Sequence, residues 1–144
     1  MAIRMRFLHY PDGKKMSAFC KELTAGYENC KFDRVPPAYP SERERFTVIF
    51  VKSGKDIPND LNMFCGGLTK DRCQNVLYFM DAADETVKTL VELTEKAGAK
   101  VLDTVKIKYP GLFGGISEET KKVVTETVAK YYAELNNLSV RLPS

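Results

Sequence analysis

The chain has no tryptophan, one histidine and no two cysteines at C-x-x-C spacing. A lone histidine excludes sites built from several imidazoles, and the gaps between Cys20, Cys30, Cys65 and Cys73 do not suit a zinc cluster, so no metal is expected. Long apolar runs are missing too: Val48–Val51 and Val76–Met80 are far too short to cross a bilayer. The opening residues, Met1-Ala2-Ile3-Arg4-Met5-Arg6, carry charge where a secretory signal needs an apolar stretch, so a cytoplasmic protein with reduced thiols is expected. Charge of one sign is also scarce. Twenty-two basic and nineteen acidic residues leave a net charge of +3, too small to imply a nucleic-acid partner. What remains is 144 residues, 44% hydrophobic and 28% charged, without repeats or linkers, which suits one globular domain spanning residues 1–144.

Along that domain, strand-like and helix-like pieces alternate. Arg4–Tyr10 reads as a strand stopped by Pro11-Asp12-Gly13. Met16, Phe19, Cys20 and Leu23 then recur at helical spacing, with Gly26 placed to close the helix in the left-handed conformation. Cys30–Val35 alternates loosely and ends at Pro36-Pro37. Phe46–Val51 is apolar throughout, as in a strand covered on both faces. Pro58 suits the first turn of the next helix, whose stripe is Leu61, Phe64, Cys65 and Leu68. Val76–Met80 is a second buried strand. Asp84 or Asp81 is expected to cap a helix burying Val87, Leu90, Val91 and Thr94 and closed by Gly98. Lys100–Tyr109 alternates as a half-exposed strand, with Val101, Asp103, Val105, Ile107 and Tyr109 on one face; Lys106 and Lys108 give it a solvated edge. After a loop through Tyr109–Ile116, Ser117-Glu118-Glu119 opens a last helix with the stripe Val124, Val128, Tyr131, Leu135 and Leu138.

Five strands and four helices in alternation imply a doubly wound parallel α/β sheet with helices on both faces. The second and fifth strands have edge character and the others do not, which predicts the order 2-1-3-4-5. Ligands of such sheets lie beyond the carboxyl ends of the strands, where the strand order reverses. Three segments converge there: His9–Lys15, Lys52–Pro58 and Asp81–Glu85.

This element order and size, the Ile57-Pro58-x-x-Leu61-x-x-Phe64 stretch and the late loop before the last helix resemble flavodoxins over nearly the whole chain. The resemblance implies FMN as cofactor, an electron-transfer role and a redox partner protein. It places the phosphate at the stretch Tyr10-Pro11-Asp12-Gly13-Lys14-Lys15-Met16, with Tyr10, Gly13, Lys14 and Lys15 as the binding residues. Flavodoxins carry hydroxyls in this loop. Here none occurs before Ser17; Pro11 removes an amide donor, Asp12 adds a carboxylate, and Lys14 and Lys15 supply charge in their place. On the ring side the resemblance assigns Ser53, Gly54, Ala82 and Ala83. Gly54 supplies a flexible peptide toward the flavin and the alanines leave room for a flat ring, with Tyr109 and Phe113 the nearest stacking aromatics.

Other constellations carry less. His9 ends the first strand, where a general base can sit, but no nucleophile–base–orienter set accompanies it. Response-regulator receivers share the strand order, yet His9-Tyr10 and Val51-Lys52 stand where they need acids. Beside the FMN reading stands a second one, a flavodoxin-fold domain without cofactor that serves as an interaction or regulatory module, as a monomer or homodimer.

Overall fold

Strands and helices alternate, except that no helix separates the second and third strands among the described residues, along the computed structural model, which describes residues 3–37, 43–111 and 114–141 and, in the last helix, side chains as far as residue 137. The elements are β1 (Met5–Tyr10), α1 (Lys14–Thr24), β2 (Cys30–Arg34), β3 (Glu44–Lys52), α2 (Asn59–Gly66), β4 (Cys73–Asp81), α3 (Asp84–Ala97), β5 (Lys100–Lys106) and α4 (Glu118–Arg141). All strand pairs are parallel, in the order β2-β1-β3-β4-β5. The predicted doubly wound α/β sheet is therefore the observed one, with β2 and β5 outermost and partly solvated.

Alternation along the central strands sends successive side chains to opposite faces, and each face has its own core. Phe7, Phe46, Val48, Phe50, Leu77 and Phe79 meet Met16, Phe19, Cys20 and Leu23 of α1 and Val124, Val128 and Leu135 of α4. Leu8, Ile49, Val51, Val76, Tyr78 and Met80 meet Leu61 and Cys65 of α2 and Leu90 of α3. On the first face Phe50 stacks on Phe79 with ring centres 5.3 Å apart. On the second, the Tyr78 hydroxyl lies 2.6 Å from Thr94 Oγ1 and donates to the Cys65 sulfur, which satisfies a phenol buried without access to water.

Local details depart from the sequence pattern for identifiable reasons. The helix α1 closes through Ala25 in the right-handed conformation, and Gly26 has no positive φ. The left-handed turn falls instead at Asn29, with φ of 50°, immediately before β2. Pro58 stands at the N-cap of α2 rather than inside it. Neither Asp81 nor Asp84 caps α3: the cap is Ala83, Asp84 is the first helical residue and pairs with Lys106 at 2.8 Å, and Asp81 still belongs to β4. The buried set of α3 is Thr86, Leu90 and Thr94, with Val87 and Leu93 packed beside it and Val91 half-exposed. Ser117 caps α4 as expected, its Oγ accepting the Thr120 N–H at 3.1 Å.

The fifth strand stops at Lys106, short of Tyr109, and does not alternate evenly. Val101 pairs with Val76 but Asp103 pairs with Leu77, so Leu102 is an inserted bulge residue. Val101 consequently packs with the α2/α3 face, whereas Leu102 and Val105 pack with the α1/α4 face. Gly98 closes α3 as expected, with φ of +125°, and a Cβ there would stand 3.0 Å from the Lys70 backbone nitrogen. Gly98→Ala is therefore expected to cost about 1–3 kcal/mol of unfolding free energy, measured by denaturant titration.

Candidate functional site

The β1–β3 boundary is where strand order reverses, and the chain leaves both strands there at the same level, with Tyr10 beside Val51. After Tyr10 the peptide to Pro11 is cis, and Gly13 is fully extended (φ −175°) as the N-cap of α1. No side chain caps this helix and its first turn has no acid. Helical bonding starts with the Ser17 N–H on the Gly13 carbonyl, so the N–H groups of Lys14, Lys15 and Met16 precede the helix's own acceptors. These amides, the helix dipole and two ammonium groups favour an anion at this end. A crevice of about 450 Å³ lies against the same turn, lined by residues 11–16, Lys52, Tyr109, Pro110 and Gly111. The Asp12 carboxylate stands 3.9 Å from Arg34 on the exposed flank, so its charge is partly answered there.

The predicted site residues divide between this crevice and its neighbours. Gly13, Lys14 and Lys15 line it. Lys14 is exposed, whereas Lys15 Nζ donates to the carbonyls of Gly111, at 2.7 Å, and Gly114. Tyr10 packs its ring with the α2/α3 core, and its hydroxyl donates to Asp60 Oδ1 at 3.5 Å. Burial first, and the Asp60 carboxylate second, raise the Tyr10 phenol pKa. Ser53 and Gly54 follow β3. Ser53 is tied to β4 through its N–H on the Asp81 carbonyl, and the Gly54 carbonyl accepts from Ser53 Oγ and from Thr86 Oγ1 at 3.2 Å. Ala82 is half-buried and Ala83 exposed, both at the end of β4. Phe113 lies outside the described residues.

Two residues matter more than their sequence context suggested. Tyr109 spans the strand ends: its N–H donates to Asp81 Oδ2 and its hydroxyl to the Tyr10 carbonyl, both at 2.9 Å. Its phenol pKa is raised, chiefly by burial. Thr86, buried in the first turn of α3, joins the loops after β3 and β4 through Gly54. None of these three bonds has a sequence signal beyond a polar residue near a strand end. A second cleft, about 530 Å³, lies between Asp81-Ala82, Lys106–Lys108 and the first turns of α4. It is larger, but it touches neither the start of α1 nor Lys52, and so lies away from the switch in strand order.

His9 is buried, with Nδ1 3.3 Å from the Pro11 carbonyl, and so packs against the turn instead of facing the crevice. None of the four cysteines is in a disulfide. Burial raises every thiol, Cys30 to about 11 and Cys73 to about 12, which leaves them protonated and poorly nucleophilic near neutrality. Among the described residues no group of acids, cysteines and histidine is arranged to hold a metal ion, and no helix is long and apolar enough to cross a membrane.

No protein-family model matches the chain, and no curated protein matches it in sequence. Among solved structures it is similar to the apo-form of a flavoprotein from Lactobacillus acidophilus NCFM, determined by NMR. The TM-score is 0.50 at 12% identity, over 74% of this chain and 93% of that one. Together with the 2-1-3-4-5 parallel sheet, this makes the fold flavodoxin-like.

Proposed function

We propose that this chain binds FMN with its phosphate at the start of α1 and acts as an electron-transfer protein. The observation that carries the reading is the acid-free, uncapped first turn of α1, opening with Lys14 and Lys15 onto a crevice that Lys52 also lines. Its volume, about 450 Å³, falls within the range of small-ligand sites. The fold's likeness to a flavoprotein supports the choice of flavin among phosphorylated ligands, though a fold alone does not specify chemistry.

The donor set fits the anionic end of the cofactor. Amides of the first turn and the Lys14 ammonium hold the phosphate, and Lys52 adds positive charge beside the strand ends. On the ring side, Gly54 and Ala82–Ala83 keep the loops after β3 and β4 free of bulk, and Thr86 fixes the Gly54 carbonyl. When bound, the flavin supplies the electron chemistry, and the protein supplies position and electrostatics. No side chain is needed as a general acid or base.

Titrating the protein into FMN is expected to change flavin fluorescence saturably. Lys14→Glu is expected to weaken the affinity at least tenfold, since it replaces a charge-assisted donor by a repelling carboxylate. Unchanged affinity removes Lys14 from the site; no fluorescence change at all removes FMN.

The second reading, an interaction module without cofactor, is favoured by the absence of any aromatic residue in Lys52–Pro58 and Asp81–Glu85. It finds little surface to use. Among the described residues the exposed large apolar side chains are Met63 on α2 and Val123 on α4, and those helices cover opposite faces of the sheet.

A further inference from the structure

The cleft of about 530 Å³ between the ends of β4 and β5 and the first turns of α4 is lined by polar groups of two kinds. Some are answered within the fold. Lys106 pairs with Asp84 at 2.8 Å, and Ser117 Oγ donates to Thr120 Oγ1 at 2.9 Å while accepting the Thr120 N–H. Others are left open. Asp81 is half-buried and held by one oxygen, Oδ2, which accepts the Tyr109 N–H at 2.9 Å. Its Oδ1 has no partner among the described residues, although Lys106 and Lys108 line the same cleft. The exposed Lys108 ammonium and Glu119 carboxylate are likewise without a side-chain partner among the described residues. Part of the remaining wall is apolar: Ile107 is buried, and Val123 is 39% exposed, an apolar side chain that nothing in the fold covers.

These groups narrow the chemistry that fits. Ser117 caps α4 and its first turn carries Glu118 and Glu119, so a phosphate is disfavoured on this side of the cleft. A half-buried carboxylate with an accessible oxygen favours an ammonium, through a charge-assisted bond roughly twice as strong as a neutral one. An open lysine favours a carboxylate, and an apolar wall favours an apolar body carrying both charges. We propose that the cleft is a second binding site, for a small zwitterion of the apolar amino-acid class, with its ammonium on Asp81 Oδ1, its carboxylate on Lys108 and its side chain on Ile107 and Val123. The volume lies in the range of small-ligand sites. The cleft shares no lining residue with the crevice at α1 and, of the residues assigned to the flavin, only Ala82. The inference therefore stands apart from the flavin reading.

The test titrates the full isotope-labelled chain with L-leucine, with isoamylamine, which lacks the carboxylate, and with isocaproate, which lacks the ammonium. Leucine is expected to shift the methyl resonances of Ile107 and Val123 saturably. It is expected to bind at least tenfold more tightly than either analogue, because each analogue leaves a charged group of the site unpaired. Asp81→Asn keeps an acceptor for the Tyr109 N–H and removes only the charge. It is expected to weaken leucine at least tenfold without weakening isocaproate. Lys108→Gln is expected to weaken leucine without weakening isoamylamine. Val123→Asn, at an exposed position where the fold is not at risk, is expected to weaken all three, read at the Ile107 methyls. Methyl resonances that ignore leucine overturn the proposal, as does a leucine affinity indifferent to Asp81→Asn, to Lys108→Gln or to Val123→Asn. Isoamylamine binding as tightly as leucine would make the cleft a site for organic cations, and isocaproate doing so a site for carboxylates; either result overturns the zwitterion.

Discussion

Glu44→Ala is expected to lower the unfolding free energy by about 3–5 kcal/mol, a large fraction of what a domain of this size has. Glu44 opens β3 and Arg6 lies in β1; their side chains are 8% and 7% exposed and their charges 3.7 Å apart. The second carboxylate oxygen of Glu44 is buried without a hydrogen-bond partner among the described residues. Burying a pair of this kind gains little, because desolvation offsets most of the attraction, but removing one member leaves the other charged in a poor solvent. The double variant Arg6→Met/Glu44→Leu is accordingly expected to recover most of the loss. Urea titrations of the two proteins decide the matter. A double variant as unstable as the single one would mean that lost packing, and not the loss of this carboxylate beside the Arg6 guanidinium, sets the cost.

Raising the pH from 7 to 10 is expected to produce the second large effect. An acid whose folded pKa lies above its unfolded value stabilises the fold fully below the unfolded pKa, and that contribution is lost as pH climbs toward the folded one. Cys73 is such a group: it is fully buried, its thiol donates to Thr47 Oγ1 at 3.0 Å, and burial pushes its pKa up to about 12. With an unfolded thiol near 8.5, the unfolded state is favoured by about 2 kcal/mol at pH 10 from this residue alone. Cys20 is shifted further, again by burial, and adds a loss of similar size. Denaturant midpoints should therefore hold steady up to about pH 8 and fall steeply beyond it. Cys73→Ala should flatten that fall whatever it does to stability at pH 7. A slope unchanged in this variant would show that the thiol is not protected from ionisation.

The fold was legible because composition and position agreed. Phe46–Val51 and Val76–Met80 admit no solvent face, Cys30–Val35 and Lys100–Lys106 do, and this difference alone puts β2 and β5 on the outside. All four stripe residues of α1 are buried as their spacing requires. The misreadings share a cause: a one-dimensional pattern assigns each residue its commonest local use. Asp81, read as a helix cap, serves Tyr109 instead, and Leu102 disturbs an alternation that looked even. The site was legible as a place, the switch between β1 and β3, and less so as a set of bonds. Lys15 reaches Gly111 across 96 positions and Tyr109 reaches Tyr10 across 99, and no local pattern encodes contacts that distant.

The supernumerary Leu102 has a consequence for how this chain tolerates shortening. Pairing skips it, so excising that one residue would join Val101 to Asp103 with every later side chain still pointing as before. Loss of Thr104 or Val105 instead would turn over whatever follows, taking Ile107 out of the interior and swinging Tyr109 off the rim it bridges. In a comparison of length variants, Leu102 should be the position in this ribbon where losing a codon costs only that side chain's own packing.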